Sequence, residues 1–188
     1  MTTRLAVANA ALARLGPLRI AAWDAPDPVA VAIRDVWDGL RRAELQAYSW
    51  SFALRTGRLV EDGATPPAPG WSHVYLLPPD CLRLLVVRPD DPSTAYTILG
   101  DRLHTGLAPP LTAKWIADVT EPAAWDPLFA EAFACRLAAV LAERLTQSST
   151  AWERATRDYE SAIARARRAS SMELPPRRVL ARTPWLEV

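Results

Sequence analysis

The stretch Asp126-Pro127-Leu128-Phe129-Ala130-Glu131-Ala132-Phe133-Ala134-Cys135-Arg136-Leu137-Ala138-Ala139-Val140-Leu141-Ala142-Glu143-Arg144-Leu145 decides how the rest of the chain reads. An acid able to cap a helix stands before a proline suited to the first helical position. Behind this start, Leu128, Phe129, Ala132, Phe133, Leu137, Val140, Leu141 and Leu145 fall on almost every side of the helix. A helix that is hydrophobic all round must be surrounded by protein. Residues 127–146 are therefore expected to form the central helix, with other helices packed about it.

Moving outward, Asp27-Pro28 repeats the capped start and opens a helix expected over 28–46. Val29, Ile33, Val36, Trp37 and Leu40 share one face of it, and Arg34, Arg41, Arg42 and Glu44 are placed away from that face. Leu5, Ala8, Leu12 and Leu15 recur at helical spacing before Gly16-Pro17, which predicts an opening helix of about four turns over 3–15. On the far side, Thr150 and Glu153 fit a capping box for a helix over 151–169. Its apolar stripe is Trp152, Ala155, Tyr159, Ile163 and Ala166. Its opposite face carries Arg154, Arg157, Asp158, Glu160, Arg165 and Arg168.

Between the helices, GRLVEDGATPPAPG at 57–70 reads as a surface loop, broken by proline and loosened by glycine. The runs around 74–77, 81–87, 96–99 and 111–116 are separated by turn residues and predict about three or four antiparallel strands in an insertion over 72–119. After Ser171 the prolines Pro175, Pro176 and Pro184 forbid a long helix, while Arg177, Arg178 and Arg182 alternate with Val179, Leu180, Trp185 and Leu186. Such a tail, 172–188, either packs back on its own helices or docks on a partner. The expected fold is thus α+β, mainly α: a single domain over 1–171, a helical bundle with a small antiparallel β-sheet insertion, and an extended C-terminal tail.

Composition narrows the function classes. In 188 residues, 22 basic side chains against 21 acidic ones leave a formal charge of +1. That provides no global field to hold nucleic acid by counterion release. Arginine supplies nearly all the positive charge, Lys114 being the only lysine, and with the abundant alanine this fits a GC-rich genome. Cys81 and Cys135 lie far apart in unlike surroundings and suit two thiols better than a disulfide. Arg4, Asn9 and Arg14 interrupt the first fifteen residues, so no signal peptide is expected, and no run is apolar enough to span a bilayer.

Catalytic signatures do not emerge. His73 and His104 lack metal-ligand spacing, and no GxSxG, GxGxxG or GxxxxGK[ST] occurs, so no catalytic residue, metal or cofactor is expected. Asp80, Asp90 and Asp91 stand beside prolines in turns, where aspartate serves its own backbone. An acid/base hydrolase would have to draw on them together with Glu61 and Glu131. Tryptophan is abundant, and Trp50, Trp71, Trp115 and Trp125 lie at element boundaries, where an indole can bury its rings while its N–H reaches a carbonyl.

Four segments together resemble the tail tubular protein A family, the head-to-tail adaptors of short-tailed phages and related particles. They are ANAALARLG at 8–16 with Asp27-Pro28 and Arg41, and Tyr48-Ser49-Trp50-Ser51-Phe52-Ala53-Leu54-Arg55 with Leu59. The third is Gly70-Trp71, Tyr75 and Leu77-Pro78-Pro79-Asp80-Cys81-Leu82-Arg83. The fourth is Trp115-Ile116-Ala117-Asp118-Val119, Trp125-Asp126-Pro127-Leu128-Phe129 and the helix to Leu145, with Thr146 beyond. The likeness spans residue 5 to about 170. Trp115 stands where the family usually has tyrosine, and the loop at 61–69 is richer in proline.

The resemblance implies a non-enzymatic virion protein at the head–tail junction, assembled in the bacterial host cytoplasm. It implies a homo-oligomeric ring, commonly a dodecamer, that binds the portal protein and the next tail protein. Double-stranded DNA would pass through without sequence recognition, and no membrane is involved. A near-neutral ring lets the duplex slide, so the arginines are expected to face neighbours and portal, not channel. Trp50, Phe52, Trp71, Tyr75, Pro78 and Asp80 would lock the sheet against the helices, and Arg177, Arg178, Arg182, Trp185 and Leu186 would dock on the portal or an adjacent subunit. The alternatives are a connector or stopper of a long-tailed phage, a phage cell-wall hydrolase, or a host DNA-binding module.

Overall fold

A computed structural model describes residues 2–88, 91 and 94–173. The helices are α1 (Arg4–Leu15), α2 (Pro28–Ala47), α3 (Pro127–Thr146) and α4 (Ser149–Glu173), and the strands are β1 (Leu54–Glu61), β2 (His73–Leu76), β3 (Cys81–Val87), β4 (Tyr96–Leu99), β5 (Arg102–Thr105) and β6 (Leu111–Ala117). The helix starts follow local chemistry. Asp27 accepts from the N–H groups of Val29 and Ala30, and Asp126 from those of Leu128 and Phe129, so each acid satisfies two otherwise unpaired donors. α4 starts earlier than the Thr150 box suggests, because Ser148 Oγ accepts from the Ala151 N–H at 3.2 Å.

α3 lies at the centre of the helical layer, touching α1, α2 and α4. It buries Phe129, Phe133, Leu137 and Leu141 together with six alanines, Ala130, Ala132, Ala134, Ala138, Ala139 and Ala142, that let its neighbours approach. Trp37 of α2 is stacked or edged against Trp23, Trp125 and Phe133, with centroids 4.9, 6.1 and 4.9 Å away. α4 buries Ala155, Ala162, Ile163 and Ala166, but Trp152, expected in the apolar stripe, is exposed.

The strands form one antiparallel sheet, ordered β3-β6-β1-β2-β5-β4 and nearly closed like a barrel. Leu59, Tyr75, Val87, Leu103, Leu111 and Ala113, drawn from five strands, make a second core inside it. Leu54, Leu82, Leu85 and Ile116 instead pack against the helical core.

This corrects the expected fold class: the chain is not a helical bundle with a small sheet insertion. The six-stranded sheet has its own core and begins at Leu54, not near residue 72. The loop expected over 57–70 is in its first part the strand β1, whose apolar signal Arg55, Gly57 and Arg58 dilute and which a proline-rich loop follows. Its pairing from Leu54↔Ile116 to Leu59↔Leu111 specifies it instead. Gly57 suits the close approach there, since a Cβ would sit 3.1 Å from the Trp115 ring and the ring would have to give by a few tenths of an ångström. β5 is four residues long and mostly polar, yet Leu103, His104 and Thr105 are all buried between β2 and β4.

Candidate functional site

The feature that organises the molecule is the joint where α2 and the residues around β3 and β6 meet. Arg41, placed by its sequence position on the polar side of α2, is buried there. Its guanidinium grips the Asp118 carboxylate just past β6, with a second contact at 3.4 Å, and also touches Asp38 at 3.2 Å. Arg42 adds a longer contact to Asp118 at 3.7 Å. Buried charge is tolerated when it is paired and hydrogen-bonded.

Glu44 is the second polar residue misplaced by the helical-face reading, and it too is buried. It accepts from the Tyr159 hydroxyl at 2.8 and 3.0 Å and meets Arg136 Nε at 3.4 Å. Burial, reinforced by the Glu44 charge, pushes the Tyr159 phenol up to about 12. The hydroxyl thus stays protonated and donating. α2 therefore has two buried sides, the apolar face against α3 and a polar edge against β6 and α4. No local pattern reports the second.

The tryptophans tie the segments together. Trp50 Nε1 donates to the Glu44 carbonyl at 2.9 Å, and Trp125 Nε1 to the Val119 carbonyl at 2.8 Å. Trp115 Nε1 donates to the Asp80 carboxylate at 3.2 Å, while the Asp118 N–H donates to the Asp80 carbonyl at 2.7 Å. Asp80 is thereby bound to both ends of the Trp115–Asp118 segment.

The six residues expected to lock sheet to helices do not form one group. Trp50 is buried with Phe52 and Phe129 in the helical core, at centroid distances of 6.3 and 4.8 Å. Asp80 belongs to the joint, and the Pro78 carbonyl accepts from the Cys81 N–H at 2.8 Å at the turn into β3. Tyr75 lies in the other core, inside the sheet, where its hydroxyl donates to the Leu107 carbonyl at 2.8 Å. Trp71 is half-buried at the end of the β1–β2 loop, its backbone N–H donating to the Ala68 carbonyl at 3.0 Å. Arg177, Arg178, Arg182, Trp185 and Leu186 lie outside the described residues.

The β1–β2 loop is pinned at both ends. Asp62 accepts from Arg102 Nε at 2.8 Å and from Thr65 Oγ at 2.7 Å, and these bonds hold its carboxyl down to about 2. The Ala68 N–H donates to buried His104 Nδ1 at 3.1 Å.

The carboxylates a hydrolase would require do not converge. Glu61 meets His73 at 2.7 Å at the end of β1, Asp80 holds Trp115, and Glu131 sits on α3 between Arg14 at 3.8 Å and Arg165 at 3.1 Å. Asp91 lies in the β3–β4 turn, and Asp90 lies outside the described residues. Cys81 and Cys135 are free thiols; burial, with Asp80 beside it, pushes Cys81 up to about 11, and burial raises Cys135. No three or more His, Cys, Asp or Glu side chains among the described residues are grouped to hold a metal ion, and no described helix is long and apolar enough to cross a membrane. Compared with known proteins, the chain matches no protein-family model and no curated protein.

Proposed function

We propose that the chain is a structural head-to-tail adaptor of a tailed phage or phage-like particle, a ring subunit below the portal through which DNA passes, and not an enzyme. One observation carries this reading. The separate segments that resemble the adaptor family contribute Arg41, Asp80, Trp115 and Asp118 to one set of contacts at the joint, while Trp125 is bonded to Val119 beside it and Trp50 to the Glu44 carbonyl on α2. Residues scattered along the chain yet bonded to one another are what an inherited structural unit would retain. The two layers, each with its own core, give such a subunit separate surfaces for neighbours in a ring.

The test is the solution mass of the purified chain by light scattering, alone and with the portal of its particle. A closed ring, or a monomer that becomes one on the portal, agrees with the proposal. A chain that stays monomeric and ignores the portal overturns it.

A further inference from the structure

The outer face of the sheet carries an uncovered row. Strand alternation puts Thr56, Arg58 and Val60 of β1 on one face, with Lys114 opposite Thr56 and Leu76 opposite Val60. The row continues from Leu76 through Arg102 to Leu99. The helical layer covers only the Leu54 and Ile116 end of this face. Val60 is 67% and Leu99 51% exposed, with Leu76 also open to solvent. Arg102 is matched by Asp62 and Asp101, but Arg58 and Lys114 have no acidic partner among the described residues.

A stripe of complementary character lies on α2. Val31, Asp35 and Asp38 stand at i, i+4 and i+7 of the helix, all exposed, Asp38 by 77% of its side chain. Asp35 has only a half-exposed Arg144 at 3.7 Å, a pairing worth little in water. Asp38 rests on Arg41, whose charge Asp118 already matches.

The two stripes agree in order and are opposite in charge, and their spacings differ by little more than long side chains can span. Along the helix, the steps from Val31 to Asp35 and Asp38 are about 6 and about 10 Å at 1.5 Å per residue. Along the strands, Arg58 and Lys114 lie about 7 and about 13 Å from Val60 at roughly 3.3 Å per residue. An apolar residue followed by two acids thus faces an apolar residue followed by two bases.

We propose that the α2 stripe of one copy docks on the sheet row of the next, head to tail, with Val31 against Val60 and Leu76, and Asp35 and Asp38 against Arg58 and Lys114. Such a contact joins unlike patches, so it propagates and closes into a ring when the rotation allows. The inference rests on the ring reading above and names the surfaces that would build it.

Complementary charge reversal tests it on the full chain. One variant carries Arg58→Glu and Lys114→Glu; the other carries Asp35→Arg and Asp38→Arg. All four positions are solvent-accessible, and thermal melts verify that both variants fold. Each alone brings like charges together and should raise the concentration for half-assembly by about tenfold or more. An equimolar mixture restores opposite charges at every contact of an alternating assembly and should recover the wild-type mass. Val60→Asp, which leaves every ion pair of the fold intact, should weaken assembly as well. Variants that assemble like wild type, or a mixture that stays apart, overturn this interface and leave the ring reading standing. A wild-type chain that is monomeric with and without the portal overturns both.

Discussion

The guanidinium of Arg41 on α2 is buried against the carboxylate of Asp118, which follows β6, and this pair fastens the helical layer to the sheet at a point where both side chains are largely withdrawn from water. Removing one partner leaves the other charge buried without compensation, so Asp118→Ala or Arg41→Ala should cost about 3 kcal/mol. Asp38 and Arg42, which also touch the pair, lie nearer water and cannot replace it. Replacing both with apolar residues of similar size, Arg41→Met with Asp118→Leu, should recover much of the loss. Urea midpoints of the single and double variants check the prediction; a double variant as unstable as the worse single one would refute it.

Trp50 and Trp37 offer a paired comparison. Both indoles are buried, but Trp50 Nε1 donates to the Glu44 carbonyl while Trp37 Nε1 has no acceptor. Trp50→Phe therefore loses a hydrogen bond and part of a ring, at about 2 kcal/mol. Trp37→Phe loses ring area alone and should cost less. Thermal unfolding of the two variants gives the order directly, and the reverse order would contradict the assigned bonding.

Gly57 lies under the Trp115 ring. Gly57→Val should push that ring aside and loosen its bond to Asp80, destabilising by about 1–3 kcal/mol through overpacking. Gly57→Ala, with a single carbon 3.1 Å from the ring edge, should be milder. Denaturant midpoints that put alanine below valine would show the ring is not confined.

The β1–β2 loop should respond to acid. Hydrogen bonds from Thr65 and Arg102 lower the Asp62 carboxyl from 3.8 to about 2. A depressed carboxylate stabilises the fold above its unfolded value, and that contribution is lost as pH falls from about 4 toward about 2. The wild type should therefore lose stability over this window faster than Asp62→Asn, in which the titrating group is gone. Parallel pH slopes for the two proteins would remove Asp62 from the account.

Legibility followed the range of the interactions. Caps and helical periodicity are contained in a few neighbouring residues, so the helix starts at Pro28 and Pro127 and the central place of α3 could be read directly. The runs 74–77, 81–87, 96–99 and 111–116 were visible for the same reason, as apolar runs between turns, and they fall on β2, β3, β4 and β6. The joint was only half visible. Trp50 and Asp80 stand out as motif residues, whereas Arg41 and Glu44 look like ordinary solvent-facing positions of an amphipathic helix.

By itself, then, the amino-acid sequence determined the four helices, most of the strands and the apolar faces, because each depends on contacts within a turn or along one strand. Tertiary structure alone decided that 54–61 is a strand, that the sheet has six strands and a second core, and that Trp152 is exposed while Arg41 and Glu44 are buried. The reason is that β1 gains its hydrogen bonds from β6, far along the chain, and Arg41 its counter-charge from Asp118. Whether a polar side chain is buried depends on what is folded against it, and no spacing along the chain records that.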